Sequence, residues 1–375
     1  MSDSPNVCSG YGTVTRNLLD GLTKNTGHEW LALGWQYVGQ PTRWGNFMML
    51  PRGQRAFGED ILPYHLQQFK PDVLIVLADL FMVNYLAAMD FKDTKLVNYF
   101  PADGFPLPTG GANVLMKNTQ AVAMSKFGKE VAKKEGIETE VIYHGVDSNV
   151  FSPVKDKEQL KRNLGLEGKF VIGFAGRNQE RKKISRLLKA WKIFSTGKKD
   201  VHLILHTDPF DPEGPALLDR KGPGGQKLEG LISVLGAENV SFTHMPSFQL
   251  GLPLDHLNRI YNLFDIHVSA TLGEGFGLTT LESMACGVPN ILPDNTTAKE
   301  LIGGRGELAK IQAWVTANNN VEMGLVDVED MAAKMNYLYE NEDVRGKYSK
   351  NGRKFAEEMD WKNIVPQWEK LLAKL

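Results

Sequence analysis

The chain has few cysteines, no long apolar run and almost no net charge, and each of these absences excludes a class of protein. Its two cysteines, Cys8 and Cys286, cannot make a disulfide framework, and their spacing fits no zinc site. A reducing compartment is the simplest expectation, so we predict a cytoplasmic protein. No apolar run approaches the ~20 residues that a membrane-spanning helix needs, and residues 1–5 lack the basic and apolar regions of a signal peptide.

Charges of the two signs are nearly equal in number, with 43 Lys and Arg against 44 Asp and Glu. A formal net charge of -1 gives no basic field that would attract a nucleic acid, so we predict no nucleic-acid partner. A local basic patch leaves peripheral contact with a membrane surface open. The 375 residues suffice for two domains of about 100–200 residues, each with its own core.

Short apolar runs alternate with amphipathic stretches along the chain. Buried strands interleaved with helices predict an α/β protein with parallel sheets covered on both faces. Two such doubly wound, Rossmann-like domains would face each other across a cleft, and ligands would bind beyond the carboxyl ends of the strands. The predicted strands lie at residues 73–77, 95–100, 140–143, 170–175, 201–205 and 265–269.

The best domain boundary lies near Phe151-Ser152-Pro153, because a charged stretch follows it and the strand-helix alternation then starts again. We therefore predict an amino-terminal domain over residues 1–150, a second domain over residues 151–355 and a terminal helical stretch over residues 356–375. The chain opens almost directly on a glycine loop, Ser9-Gly10-Tyr11-Gly12. A doubly wound domain normally has a strand before such a loop, so the first strand is either degenerate or missing.

The segment from Gly273 to Pro289 carries the strongest chemical signal. It follows a predicted strand and opens a helix, where small residues and free amides suit an anionic ligand. Glu274 in the loop and Glu282 in the helix stand eight positions apart and can face one ligand. Two other interpretations compete. One is an ordinary glycine-rich turn, and the other is a dinucleotide loop, with Asp294 about 20 residues on as its ribose carboxylate.

A second segment, Gly176 to Lys183, follows the strand predicted at residues 170–175 and contains several cations. Arg177 and Lys182 at the carboxyl end of a strand would suit a diphosphate, since Arg grips two oxygens and Lys acts as a mobile charge. Alone, the run is better explained as a solvated helix face, because exposed Lys and Arg are the rule.

Taken together, these segments resemble the family-four retaining glycosyltransferases, which have the GT-B fold. The Glu-x7-Glu element from Glu274 to Glu282, with Glu-Gly-Phe-Gly-Leu inside it, is typical of that family. The resemblance covers nearly the whole chain and is strongest over residues 125–289. The other segments that carry it are Gly176-Arg177 with Lys182, Ser125-Lys126-Phe127, and His144-Gly145-Val146-Asp147 with Phe151-Ser152-Pro153.

The resemblance implies a nucleotide-diphosphate sugar as donor and a glycan, lipid or small molecule as acceptor, with no cofactor and no metal. Arg177 and Lys182 would neutralise the donor diphosphate, and Glu274 would hold hydroxyls of the donor sugar. Glu282 would accept hydrogen bonds from the ribose. Front-face attack would retain the anomeric configuration, and the last helix would cross back to the first domain. Donor contacts from backbone atoms would come from Gly10 and Gly12 of the first domain and from Gly275, Phe276, Gly277 and Leu278.

The sequence departs from the family pattern at three places. His144 stands where Asn is frequent, which we interpret as a neutral loop substitution. Asp103 takes the place of a His that many members have near the reacting sugar, although a turn-forming Asp before Gly explains it equally well. Thr296-Thr297-Ala298-Lys299-Glu300 replaces a glycine pair before a carboxylate, which puts contacts to the distal part of the sugar in doubt.

Four histidines lie on or near strands of the second domain but are irregularly spaced, so we interpret them as packed or solvent-facing and not as metal ligands. They are His202, His206, His244 and His267. Three functions compete with glycosyl transfer. They are an epimerase or phosphorylase that uses a related cleft, an NAD-dependent oxidoreductase, and a sugar-nucleotide binding protein without activity.

Overall fold

The structure is a computed structural model that describes residues 1–209, 228–243 and 251–375. It divides into two units. The first comprises Met1–Gly145, Thr316–Glu322 and Met359–Leu375, and the second comprises Val146–Val315 and Met323–Glu358.

Within the described residues the strands are β1 Leu31–Gly34, β2 Thr42–Trp44, β3 Phe47–Pro51, β4 Val73–Leu77, β5 Lys95–Phe100, β6 Gln120–Ala123, β7 Thr139–Val141, β8 Phe170–Ala175, β9 Val201–His206, β10 Val240–Phe242, β11 Ile266–Val268, β12 Asn290–Pro293, β13 Gly306–Ala309, β14 Ile311–Thr316 and β15 Glu322–Val326.

The α-helices there are α1 Gly10–Asn25, α2 Leu62–Phe69, α3 Gly111–Met116, α4 Lys126–Lys134, α5 Lys157–Arg162, α6 Ile184–Ser195, α7 Leu228–Leu235, α8 Leu254–Leu263, α9 Leu278–Ala285, α10 Ala298–Ile302, α11 Val328–Glu340, α12 Glu342–Glu358 and α13 Trp361–Leu372. Two 3-10 helices, Leu80–Ala88 and Glu180–Lys182, complete the set.

The first unit contains a parallel sheet in the order β4-β5-β6-β7 and a three-stranded sheet in the order β1-β3-β2. Met1 and Ser2 join the two sheets. Leu77 N donates to Met1 O at 3.0 Å on one side, and Ser2 N donates to Leu33 O at 3.3 Å on the other. These two residues therefore occupy the place of the first strand of a doubly wound sheet. The Gly10 loop follows them, as the fold requires.

Helices α1 and α13 pack against each other in the first unit because each presents an apolar stripe. Gly21 on α1 allows this approach, since a Cβ at that position would collide with Val365 of α13. Trp368 of α13 is fully buried and its ring meets Tyr99 of β5 edge-on, with centroids 4.8 Å apart. The last helix therefore completes the core of the first unit.

The second unit is built on a six-stranded sheet in the order β10-β9-β8-β11-β12-β13. All its pairings are parallel. Numbered from β8 this order is 3-2-1-4-5-6, the arrangement of a dinucleotide-binding domain. The order of the strands along the sheet reverses between the parallel neighbours β8 and β11, so the loops that leave these two strands diverge and open a crevice at their carboxyl ends.

Helices cover the second sheet with apolar faces at helical spacing, as the sequence pattern requires. On α6 the side chains of Leu187, Leu188 and Trp191 are fully buried, and on α11 Met331 and Met335 are fully buried as well. They belong to one hydrophobic cluster that includes strand residues of β8, β9 and β11. The core thus anchors the strands from which the crevice loops extend.

No helix among the described residues is both long enough and apolar enough to cross a membrane. Cys8 is exposed and Cys286 is buried, and the two are not joined in a disulfide.

Candidate functional site

The crevice at the carboxyl ends of β8 and β11 brings together the two segments that the sequence predicted to act jointly. The loop after β8 contains Arg177 and ends in the 3-10 turn that carries Lys182. The loop after β11 contains Glu274 and leads into α9. Because β8 and β11 are neighbours in the sheet, residues about 90 positions apart in the chain meet here.

Glu274 is the centre of this constellation. Lys182 Nζ lies 2.5 Å from Glu274 Oε1, and Arg181 Nη1 lies 3.0 Å from Glu274 Oε2. Arg181 Nη1 also donates to the carbonyl oxygen of Gly273. The side chains of Glu274 and Lys182 are 19% and 13% exposed, so this ion pair is largely desolvated.

Burial of Glu274 opposes ionisation, but the charges of Lys182 and Arg181 and their hydrogen bonds outweigh it and lower its pKa to about 2. Glu274 is therefore a carboxylate at neutral pH. Lys182, Arg181 and Glu274 together carry one net positive charge. An anion entering this crevice meets an excess of positive charge, whereas the carboxylate can accept hydrogen bonds from hydroxyl groups.

The backbone of Glu274 is held by Thr296, a contact that the sequence did not predict. Its N–H donates to Thr296 Oγ1 at 3.1 Å, and Thr297 Oγ1 donates to Phe276 O at 2.7 Å. Thr296 has a φ of 40°, in the left-handed region that few residues other than Gly adopt. The hydroxyls of Thr296 and Thr297 thus hold the glycine loop, at the position where the family pattern has a glycine pair.

Helix α9 begins directly after the loop, with Gly277 at its N-cap and Leu278 as its first residue. Gly277 has a φ of 109°, which favours glycine, and no side chain from the described residues caps the helix. The amides of Thr280 and Leu281 donate to Gly277 O, so those of Leu278 and Thr279 are the ones that a ligand would meet. The side chain of Phe276 is buried, so a contact from this residue to a donor would have to come from its backbone.

Glu282 lies on the same helix, four residues after Leu278, between the fully buried Leu281 and Met284. Tyr261 Oη donates to Glu282 Oε2 at 2.7 Å. Burial raises the pKa of Glu282 to about 7, against the opposing effect of the Tyr261 hydrogen bond. The two carboxylates of the Glu-x7-Glu element thus have opposite electrostatic surroundings, one compensated by two cations and the other held by a neutral phenol.

In the first unit the predicted residues have structural roles that sequence reasoning did not assign. Gly10 is exposed and begins α1, with Ser9 as its N-cap. Gly12 N donates to Ser9 Oγ at 2.9 Å, and a Cβ on Gly12 would lie 2.5 Å from Val7 O. Helix capping and close packing therefore account for Gly12, and its contact with a donor stays a prediction.

Asp103 is half-buried in the loop that follows β5. Its neighbour Gly104 is needed there because a Cβ would collide with Glu322 O, and Phe105 and Glu322 exchange backbone hydrogen bonds. The Asp-Gly pair is thus fixed by a strand-like contact within the first unit. The role of Asp103 beside the reacting sugar remains untested.

His144 lies in a loop, as expected, but it is packed into the core. His144 is 3% exposed, and its Nδ1 lies 2.7 Å from Tyr99 Oη. Because Tyr99 uses its only proton on Ile142 O, Nδ1 of His144 must supply the proton of this second bond. Burial lowers the pKa of His144 to about 3, so it is a neutral core residue.

Within the described residues no group of three or more His, Cys, Asp or Glu is arranged to hold a metal ion. His206 and His267 are buried and hydrogen-bond to Thr243 and Asn290, and His202 hydrogen-bonds to Ser241. His244 lies outside the described residues.

Comparison with known proteins places this geometry in a family. A model described as "Glycosyl transferases group 1" matches residues 156–355. A D-inositol 3-phosphate glycosyltransferase of Mycolicibacterium vanbaalenii is 29% identical over 179 residues, which are 48% of this chain. That alignment spans 37% of the relative's own length.

Two solved structures are similar over the whole chain. Sucrose-phosphate synthase from Thermosynechococcus elongatus superposes with a TM-score of 0.75 at 16% identity, covering 100% of this chain and 94% of the other. HepE of Anabaena, solved with UDP-glucose, gives a TM-score of 0.73 at 19% identity, covering 100% of this chain and 98% of the other. The fold is therefore that of the GT-B glycosyltransferases, as predicted. The chain belongs to the group 1 glycosyl transferases.

Proposed function

We propose that this chain is a retaining glycosyltransferase that moves a sugar from a nucleotide-diphosphate sugar to an acceptor without a metal ion. The observation that carries the proposal is the crevice constellation, in which one carboxylate and an excess of cations meet at the carboxyl ends of β8 and β11. A sugar diphosphate has hydroxyls that suit Glu274 and a doubly charged group that suits Lys182 and its neighbouring arginines.

In this proposal the bond between the anomeric carbon and the diphosphate breaks while a bond to the acceptor oxygen forms on the same face. The diphosphate oxygen takes the acceptor's proton. The leaving group gains negative charge as it departs, so preorganised cations stabilise the transition state more than the ground state. Lys182, Arg177 and Arg181 provide that charge where a metal ion acts in other enzymes, and so no metal is required.

The donor's nucleoside part would lie along α9, where Glu282 would accept hydrogen bonds from the ribose. A UDP-sugar is the first donor to test, because HepE, which shares the fold, was solved with UDP-glucose. The acceptor is a glycan, lipid or small molecule.

A screen of UDP-, GDP- and ADP-sugars tests the proposal, with binding measured by thermal shift and turnover by donor hydrolysis. We expect one nucleotide class to stabilise the protein and to be hydrolysed slowly, with the released sugar first appearing as the α anomer from an α-linked donor. If no nucleotide sugar binds in the presence or absence of divalent metal, the proposal is wrong. Product analysis with an acceptor separates transfer from epimerisation and phosphorolysis.

A further inference from the structure

Tyr261 of α8 has an arrangement that neither the family match nor the motif explains. Its side chain is fully buried, yet its hydroxyl reaches the half-buried Glu282 on the neighbouring helix α9. Within the described part of the chain, this is the hydrogen bond that holds the Glu282 side chain. It occupies Oε2, so Oε1 is left to face a ligand.

The Tyr261 ring is fixed on several sides by other rings. Phe151 and Phe264 both lie 6.0 Å from it between centroids, and His267 lies 6.3 Å from it, each in an edge-on arrangement. Edge-to-face packing of this kind favours one ring orientation. The packed ring therefore holds the Tyr261 hydroxyl against the Glu282 carboxylate.

Helix α8 is itself tied to the segment that leads into the second unit. Ser152 N donates to Asn258 Oδ1 at 3.0 Å, and Val154 N donates to Asn262 Oδ1 at 2.9 Å. Phe151, which packs on Tyr261, belongs to the same segment. The position of Glu282 is thus determined by groups from outside its own helix.

We propose that Tyr261 is a positioning residue for the donor, holding the Glu282 carboxylate in the one orientation that meets the ribose hydroxyls. This rests on the proposed function, since it assumes that Glu282 binds a nucleoside. Loss of the phenol hydroxyl frees the carboxylate to rotate, so the cost falls on nucleotide binding. The breaking bond is remote from this contact and is little affected.

The electrostatics around Glu282 add an independent readout. Burial raises its pKa to about 7, and the hydrogen bond from Tyr261 opposes that increase. Cys286 at the end of α9 interacts electrostatically with Glu282, and burial raises the pKa of its thiol. Burial lowers the pKa of His267, whose ring packs on Tyr261, to about 4. Cys286 and His267 are both neutral between pH 6 and pH 8, and so Tyr261 is the group whose removal alters the titration of Glu282.

The test is Tyr261→Phe, which removes one oxygen and keeps the ring. We expect KM for the donor to rise about tenfold, as for loss of one hydrogen bond to a charged group, and kcat to change less than about twofold. As pH rises and Glu282 ionises, KM for the donor should fall. This fall should begin at a higher pH in the variant, because the carboxylate has lost a hydrogen-bond donor that favours its charged form.

Tyr348→Phe is the matched control. Tyr348 Oη lies 2.8 Å from Glu307 Oε1, so this variant also removes a phenol–carboxylate hydrogen bond from the second unit, but one away from the crevice. Donor KM and its pH profile should match the wild type. A rise of KM in both variants would mean a general loss of packing and would overturn the proposal.

Calorimetry with UDP and 2′-deoxy-UDP localises the effect to the ribose. The penalty of Tyr261→Phe should be about tenfold for UDP and below about twofold for the deoxy compound, which lacks one hydroxyl partner of Glu282. Equal penalties, or none, would show that Tyr261 does not act through this contact. Wild-type protein that binds no nucleotide would instead overturn the proposed function.

Discussion

At the scale of single residues, the crevice contains two cations, Lys182 and Arg181, that share one carboxylate, Glu274, so a net positive charge remains. Lys182 and Arg181 both contact Glu274, and the pair with Lys182 is the shorter at 2.5 Å. A substitution here removes a charge whose partner stays in place. Its effect on turnover and its effect on stability can be measured separately.

Lys182→Ala should reduce turnover about 10²-fold or more while the protein remains folded, because one preorganised charge contact to the leaving diphosphate is lost. Initial rates at saturating donor measure this. Lys183→Ala is the control, since Lys183 pairs with Glu180 on the exposed side of the same turn. Equal rates in the two variants would contradict the assignment of Lys182.

Glu274 and Glu282 should differ in kinetics. Glu274→Gln should lower kcat, because the group beside the reacting sugar sets the position of the anomeric carbon. Glu282→Gln should mainly raise KM for the donor, because a ribose contact stabilises ground and transition states alike. Saturation kinetics on both variants decide. The reverse pattern would invert the two roles.

The same two carboxylates should respond oppositely to pH in the absence of any ligand. The pKa of Glu282 is raised to about 7 in the folded protein, so between pH 4.5 and 7 the unfolded chain releases this proton first and stability falls as pH rises. Glu282→Gln should therefore gain roughly 1–3 kcal/mol over the wild type between pH 5 and pH 8.

The pKa of Glu274 is lowered to about 2, so its charge contributes stability above pH 4.5 that is lost only as pH falls toward 2. Glu274→Gln should thus be destabilised at pH 5 and at pH 8 to a similar extent. Thermal unfolding of both variants and the wild type at the two pH values gives the comparison. A Glu282→Gln variant without a pH-dependent gain would show that Glu282 titrates normally.

At the scale of elements, a buried ion cluster fixes helix α5 to the sheet of the second unit. Asp265, just before β11, binds Lys157 and Lys161 of α5 at 2.8 Å each. Asp265 Oδ2 also accepts a hydrogen bond from Val171 N of β8 at 2.7 Å. The Lys161 side chain is 5% exposed, so this ion pair is largely shielded from water. The cluster therefore holds the two strands that form the crevice to the helix that precedes them.

Asp265→Asn should destabilise the protein by roughly 3–5 kcal/mol, because the buried Lys161 ammonium loses the carboxylate at 2.8 Å and keeps the exposed Glu158 at 3.6 Å. Glu167→Gln is the control, since the Glu167–Arg162 pair joins side chains that are 61% and 51% exposed. That change should cost less than about 1 kcal/mol. Chemical denaturation of both variants measures the difference. Similar values would mean that the Asp265 cluster is solvated.

At the scale of the whole molecule, the two units share an α/β plan but differ in what they bring to the proposed chemistry. The charged crevice lies within the second unit, whose sheet has the order expected for nucleotide binding. The first unit contributes Gly10 and Asp103, whose roles remain predictions. Nucleotide affinity should therefore depend mainly on residues of the second unit.

Calorimetry should show that a nucleoside diphosphate binds as tightly with EDTA as without it, because the crevice supplies its own cations. Complete loss of nucleotide binding in EDTA would contradict the metal-free mechanism.

NADH should not bind at millimolar levels. The dinucleotide hypothesis needs Asp294 to hold a ribose, and Asp294 is exposed beyond β12. Tight NADH binding that is lost in Asp294→Ala would favour an oxidoreductase instead.

The sequence alone identified the strands with long apolar runs. Those predicted at residues 73–77, 95–100 and 170–175 coincide with β4, β5 and β8. The short strands β1, β2 and β3 were missed, and so was the part played by Met1 and Ser2. Each has only two to five residues, too few to display a period, and their identity as strands depends on partners distant in the chain.

The resemblance of the sequence to a known family likewise implied which residues would meet a sugar diphosphate, and that assignment stays a prediction. Contacts between distant segments were decided only by the fold. The parallel pairing of β8 with β11 brings Arg181 to Glu274, and the packing of α8 on α9 brings Tyr261 to Glu282. Burial then sets one carboxylate's pKa near 2 and the other's near 7, since desolvation depends on neighbours that a linear sequence does not specify.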